Sequence, residues 1–357
     1  MGIAPMTTHI QATVGSRCYR SVLALAAAVA VVVTVVLGVA ASTWIGRPFP
    51  GFFVFPNRVV ASIGLPHWAT SQDGTLYQRT VVALDHIPVV DGADVYRRVS
   101  AQPVGTRFAV TLRSGAATDT VAVRSTALTV FDCAAIFGTY VATGCLYLGL
   151  GLVGAWLFAG GHLGRALLFV GGLGGAYALS AVSIYDGATA SLRLHALAEA
   201  FLAPAFVYLA LVFPRERGGL TWPVVAVAWW LALALAIPYQ ILLPQPEAYS
   251  ALHGACEAYI GVAGVALIVR LVVEHARAGA AAPPLLRAAT AGALLGLGVP
   301  AVVLLLSGLG GGLLPVNVIT VTGFLFPLCF GYGVVREGLA RSRTAPAADP
   351  APAPAMV

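Results

Sequence analysis

From Ser21 to Ile45 the chain carries no charged side chain, and apolar runs of similar length recur almost to the C-terminus. About 20 consecutive apolar residues are what an α-helix needs to cross the roughly 30 Å hydrocarbon core of a bilayer. Seven further runs follow the first, at about 129–158, 166–185, 194–213, 222–242, 252–273, 285–307 and 316–335. Only 10% of the 357 residues are charged and the mean hydropathy is +0.88, against about 25% charged residues in soluble domains. The expected fold is a polytopic α-helical membrane protein with about eight transmembrane helices.

One polar stretch, 46–127, interrupts this pattern between the first and second helices, and its composition is that of a small α+β domain held at one membrane face. Gly46-Arg47-Pro48 cannot continue the preceding helix. Phe52–Phe55, Val59–Ile63 and Thr80–Asp85 read as strands, and Asp91 is placed to cap a short helix in which Val95 and Val99 share a face. Arg107–Arg113 and Thr118–Arg124 alternate polar and apolar residues around Ser114-Gly115, the pattern of a β-hairpin. None of the five cysteines falls in the insert, so it must fold on its own core without a disulfide.

Arginine placement orients the bundle. All twenty basic residues are Arg, and Arg17 and Arg20 precede the first span. Arg165, Arg215, Arg217, Arg277 and Arg287 fall in alternate loops, and Arg336, Arg341 and Arg343 follow the last span. By the positive-inside rule the segment 1–20 and the segment 336–357 are cytoplasmic, the first helix (21–45) is an anchor and the insert is extracytoplasmic. Gly38-Val39-Ala40 loosely fits a signal-peptide cleavage site, but the run before the insert exceeds the 7–15 apolar residues of a signal peptide. The segment 336–357, Ala/Pro-rich from Thr344 onward, is expected to be a disordered tail.

Ionisable residues within or beside apolar spans are functional candidates, because even insertion scales set the cost of a mid-span charge at roughly 2.5–3.5 kcal/mol. Asp132, Asp186, His195, Glu199, His253 and Glu257 all map near the extracytoplasmic ends of their helices. His195/Glu199 and His253/Glu257 each have H-x-x-x-E spacing, which sets both side chains on one helical face a turn apart. Convergence of all six would make a ligand or proton-sensing pocket, and His195, Glu199, His253 and Glu257 contain the donor types of a metal site. The plainer alternative is that each His pairs with its own Glu at the membrane interface. Arg270 and Glu274 form an i, i+4 pair near the cytoplasmic end, His162 and His275 read as solvated loop residues, and Trp68 reads as an interfacial residue resting on headgroups. Pro204, Pro238, Pro300 and Pro327 mark kinks inside spans.

Several function classes lack their parts. There is no H-E-x-x-H string for a membrane metalloprotease, and Leu306-Ser307-Gly308 lacks the first glycine of the rhomboid-type G-x-S-G motif. No C-x-x-C pair is present, and Gly171-Gly172-Leu173-Gly174-Gly175 is packing chemistry rather than a nucleotide loop. Basic clusters interleaved with aromatics are missing, so no nucleic-acid partner is expected, and neither a cofactor nor an enzymatic activity is expected.

The order strand, Ala83-Leu84-Asp85-His86-Ile87-Pro88-Val89, short helix, Pro103-Val104-Gly105-Thr106 and hairpin resembles a PDZ-like domain over about 80–124. Gln78-Arg79 stand where that family usually carries Gly-Asp. The segments 206–217 (Phe206-Val207-Tyr208-Leu209-Ala210-Leu211-Val212-Phe213-Pro214-Arg215-Glu216-Arg217) and 324–336 (Phe324-Leu325-Phe326-Pro327-Leu328-Cys329-Phe330-Gly331-Tyr332-Gly333-Val334-Val335-Arg336) resemble a helix end and the last helix of bacterial membrane sensor proteins. In those proteins a PDZ-like segment and seven helices form the sensory half of histidine kinases and nucleotide cyclases. The resemblance implies a non-catalytic sensor or receptor of the bacterial inner membrane. It would contact lipid, bind an extracytoplasmic cue, peptide or protein, and signal to a separate cytoplasmic histidine kinase or cyclase through Arg215, Arg217, Arg336 and Arg341. A membrane-tethered peptide-binding adaptor is the other expectation.

Overall fold

The computed structural model describes residues 6–72, 76–216, 219, 221–312, 314 and 317–344. Helix α1 (Met6–Ser42) carries the first apolar run as a span at Tyr19–Ser42. It ends in a turn at Gly46, whose φ of 79° an L side chain rarely adopts. The insert follows, and then α3 (Val130–Leu157), α4 (His162–Ser180), α5 (Thr189–Val212), α6 (Thr221–Leu242), α7 (Pro246–Ala278) and α8 (Pro284–Leu309). With α1 these make seven helices long and apolar enough to cross a membrane among the described residues, the architecture of a multi-pass helical membrane protein.

The last apolar run departs from the expected single span. It forms α9 (Asn317–Gly323) and, after a break at Phe324, α10 (Leu325–Thr344). Arg336, Glu337, Arg341 and Arg343 fall inside α10, so its helical length continues past its apolar part. Two other interruptions were invisible in the pattern: π-helical turns at Ala134–Gly138 in α3 and Ala293–Leu297 in α8. The second lies just before Pro300, whose missing N–H cannot serve the carbonyl of Gly296, so the ladder is already rearranged there.

Helix packing follows the small residues. Gly151 of α3 and Gly171 of α4 meet backbone to backbone, and a Cβ added at Gly171 would lie 2.4 Å from the Tyr147 carbonyl oxygen. Helices α5 and α7 occupy the middle of the bundle, α5 between α4, α6 and α7, and α7 between α5, α6 and α8. The span in α5 is 78% buried within the chain, whereas that in α1 is 6% buried and packs chiefly on α3.

In the insert, β2 (Thr80–Leu84), β3 (Ile87–Pro88), β4 (Arg107–Ser114) and β5 (Ala117–Arg124) form an antiparallel sheet in the order β3-β2-β4-β5. The hairpin register runs from Arg107 opposite Arg124 to Ser114 opposite Ala117. Helix α2 (Gly92–Ser100) starts at Asp91, whose side chain accepts the Asp94 N–H, and buries Val95 and Val99 against Phe108, Val110 and Leu112. A second pairing, β1 (Pro48–Phe49) with β6 (Thr126–Ala127), staples the entrance and exit of the insert together.

The stretches 52–55 and 59–63 are not the strands expected. They carry only single bridges, Val54 to Val60 and Val59 to Thr80, because their side chains are used to dock on the bundle. Phe49, Phe53, Phe55, Ile63 and Trp68 share one core with Ile136, Phe137, Tyr185, Tyr239 and Tyr249 of the helices. Trp68 is fully buried and packs edge-on against Phe49 and Phe53, which corrects its expected place at the headgroups. Polar ties fix the same interface: Asn57 donates to the Leu243 carbonyl at 2.9 Å and Ser62 to that of Gly312 at 2.6 Å. Residues 336–344, expected to begin a disordered tail, are instead the last turns of α10, and the remainder of that segment from residue 345 onward lies outside the described residues.

Candidate functional site

Helices α5, α6 and α7 bring the two H-x-x-x-E faces together under the docked insert. Glu199 is ten residues into α5 and Glu257 eleven into α7, so both carboxyls lie about 15 Å along their helices from the insert side. His253 stands between them: its Nδ1 is 2.8 Å from Glu199 Oε1 and its Nε2 is 3.4 Å from Glu257 Oε1. The sequence alternative in which each His pairs only with its own Glu therefore fails for this half of the site, since the shorter contact runs between helices. The Tyr239 hydroxyl of α6 donates to Glu199 Oε2 at 2.9 Å and lies 3.3 Å from His253 Nδ1.

All members of this cluster are buried: Glu199 and Tyr239 at 0% exposure, Glu257 at 1% and His253 at 7%. Neither Glu257 oxygen accepts a well-formed hydrogen bond, although the buried Ser307 hydroxyl of α8 neighbours that carboxyl. With His253 doubly protonated and both carboxyls ionised, the cluster keeps one net negative charge. An uncompensated charge in an apolar interior is costly, so the three groups are electrostatically coupled.

His195 is held apart from this bridge. Its Nδ1 is 3.1 Å from the Tyr177 carbonyl and 3.0 Å from Ser180 Oγ, and its ring stacks on Tyr177 at 4.5 Å between centroids. An Nδ1 proton donated to the carbonyl leaves that nitrogen unable to act as a base toward Ser180, so the pair does not make an activated nucleophile.

Asp132 and Asp186, expected in the same pocket, are elsewhere. Asp132 forms a reciprocal capping box with Thr129 at the start of α3, and its Oδ1 is 3.2 Å from His67 Nε2. Asp186, in the α4–α5 connection, accepts the Trp44 indole N–H at 3.1 Å. Partial burial raises the Asp186 carboxyl above its ordinary value, against the opposing pull of Trp44 and Arg47. Both residues satisfy helix ends and the insert junction, roles that the sequence could not separate from convergence on one site. Both ring nitrogens of His253 face carboxylates directly, and no group of three or more His, Cys, Asp or Glu side chains among the described residues is arranged to hold an ion.

Aromatic rings connect the cluster to the insert. Tyr249 stacks on His253 at 5.6 Å with 12° between planes, and Phe55 of the insert meets Tyr249 at 5.5 Å. Phe53 stacks on Tyr185 at 4.3 Å. Sequence reasoning missed Tyr239, Tyr249, Tyr177 and Ser180, and weighed Ser307 only as part of a protease motif. The one available signal was a hydroxyl-bearing side chain inside or beside an apolar run.

At the opposite end, Arg270 pairs with Glu274 and donates to the carbonyls of Ala210 and Arg215, joining α7 to the end of α5. Arg277 completes the group at 3.1 Å from Glu274. The expected partner-facing residues divide. Arg215 borders this group and Arg336 lies in a groove with Arg287 and Tyr332, while Arg217 and the Arg341 side chain fall outside the described residues. His162 and His275 are not loop residues: His162 opens α4 with Nδ1 3.2 Å from the Tyr208 hydroxyl, and His275 lies in α7. Compared with protein-family models, curated proteins and solved structures, the chain matches none.

Proposed function

We propose that the chain is a non-catalytic receptor subunit of a bacterial inner membrane, with both chain ends cytoplasmic. In this reading the docked insert and the Glu199–His253–Glu257 cluster switch together. The observation that supports it is the ring contact Phe55–Tyr249–His253, which links a side chain of the insert through one residue to a buried, ionisable group. A change in charge on the cluster alters the packing of Tyr249 and hence of the insert, and a cue on the insert acts in reverse. The cue works only if it binds one arrangement better than the other. Helix α7, which holds His253 and Glu257 near one end and Arg270 and Glu274 near the other, carries the change to a cytoplasmic histidine kinase or cyclase.

One observation favours the adaptor reading instead. Strand β5 is a sheet edge of eight residues, mostly exposed, with a groove beside it lined by Leu76, Val104 and Val121. Such an edge accepts an added strand from a peptide. By contrast, the face of α2 toward 52–55 is closed by the chain itself, since Tyr96 OH bonds both the N–H and the carbonyl of Val54.

Photo-crosslinkers at exposed Glu216 and Val104, followed by mass spectrometry of captured proteins, separate these readings. Capture of a kinase or cyclase from Glu216 supports the receptor. Capture of exported proteins from Val104 with none from Glu216 leaves the adaptor.

A further inference from the structure

A cavity of about 80 Å³ lies in the centre of the bundle, bounded by α3 to α5 and α7 to α9. Its walls are almost wholly apolar, with Leu202, Ala301 and Leu304 among them. Two features set it apart from a packing defect. Thr143 lines it, is 7% exposed, and its Oγ1 makes no hydrogen bond. A helical threonine ordinarily satisfies its hydroxyl on the carbonyl one turn back, as Thr34 does on Ala30. A buried hydroxyl left without a partner is destabilising, and a bound oxygen or nitrogen would relieve it. The second feature is Tyr177: it lines the same cavity and its ring stacks on His195, so an occupant touches the residue against which that imidazole rests.

We propose that this cavity is a binding site for a small, neutral, mostly hydrocarbon molecule carrying one hydroxyl or carbonyl oxygen, held by Thr143 Oγ1. The apolar walls exclude a charged ligand, for which no counter-ion lines the cavity among the described residues. Its volume is about half of the 150 Å³ that seats benzene, which leaves room for about three to four heavy atoms. A molecule of this kind dissolves in the bilayer and reaches the bundle from lipid. That it serves as the receptor's cue rests on the function proposed above; the site itself does not.

The test is fluorine NMR of 2-fluoroethanol with the full chain in lipid nanodiscs, referenced to empty nanodiscs, beside 1-fluoropropane, an alkane of the same heavy-atom count, as the probe without oxygen. The expected result is saturable binding of the alcohol that weakens at least five-fold in Thr143→Val, with the alkane probe unaffected by that substitution. Ala301→Phe and Leu202→Phe fill the cavity from two different helices, and each abolishes binding of both probes; either one that folds suffices. Absence of saturable binding, or equal affinity for the alcohol in wild type and Thr143→Val, overturns the proposal and leaves a cavity holding water alone. Because no partner protein enters this measurement, saturable binding with no kinase or cyclase crosslinked from Glu216 sinks the receptor reading and spares the site. The converse pair of results does the opposite.

Discussion

Glu199 and Glu257 flank one imidazole, and removing any member leaves the others buried without their counterpart. His253→Ala places two carboxylates opposite each other with nothing between, and breaking a buried ion pair in this way costs about 3–5 kcal/mol. Tyr239→Phe removes one hydroxyl from Glu199 and costs about 1–3 kcal/mol. Thermal unfolding of the solubilised chain should show the first substitution lowering the midpoint clearly more than the second; the reverse order would contradict the bridging geometry. In the insert, burial alone would raise the Asp94 carboxyl. Hydrogen bonds from Arg97, the Val90 N–H and Arg98, with the Arg98 charge, outweigh burial and hold it below its ordinary value. A carboxyl depressed on folding stabilises fully above the usual carboxylate range and loses that contribution as pH falls through its lowered value. Acid unfolding of the insert, followed by aromatic circular dichroism, should accordingly be less pH-dependent in Asp94→Asn. At this scale the sequence was informative where spacing alone decides. H-x-x-x-E fixes which side chains share a helical face, so His253 with Glu257 was legible, whereas the shorter contact to Glu199 depends on which helices are neighbours.

Helix packing carries the next set of consequences, and two adjacent glycines of α4 test it. A Cβ at Gly171 would press on Tyr147 and Gly151, whereas one at Gly172 meets nothing within 4 Å. Gly171→Ala should destabilise by about 1–3 kcal/mol through overpacking, and Gly172→Ala should be neutral or gain up to about 1 kcal/mol from helix propensity. Thermal melts of the two variants side by side check both values. Apolar periodicity located every one of the seven spanning helices and the β4–β5 hairpin, because burial in lipid and alternation on a sheet each leave a pattern. It could not show the π-helical turns at Ala134–Gly138 and Ala293–Leu297, which alter the hydrogen-bond ladder without altering composition. Nor could it show that Phe52–Phe55 forgoes a strand ladder to pack on Tyr185 and Tyr249, since a short aromatic run suits a strand and an interface equally. Asp132 and Asp186 misled for a related reason: a carboxylate near a helix end reads the same whether it caps, ties a loop or lines a pocket.

For the molecule as a whole, the insert is a lid on the bundle and its aromatic side chains are the latch. Phe53→Ala removes the ring that stacks on Tyr185, and truncation of a buried phenylalanine costs about 3–5 kcal/mol. In a chain retaining only Cys256, a fully buried thiol at the same interface, this substitution should speed labelling by a water-soluble thiol reagent at least ten-fold. The groups that bear on His253 are Glu199 and His195 from α5, Tyr239 from α6, and Tyr249 and Glu257 from α7; Tyr177 from α4 and Cys256 from α7 act on the two carboxyls, and Ser307 from α8 on that of Glu257. Coupling between this set and the lid is the centre of the account, and one distance reports on it. Spin labels at exposed Val104 of the insert and exposed Ala251 at the start of α7, in a chain without other reactive cysteines, give that distance by pulsed electron resonance as pH is varied. The account expects two populations whose ratio changes with pH in the wild type and stays fixed in Glu199→Gln. A single unchanging distance at every pH, or the same pH response in both proteins, would contradict it.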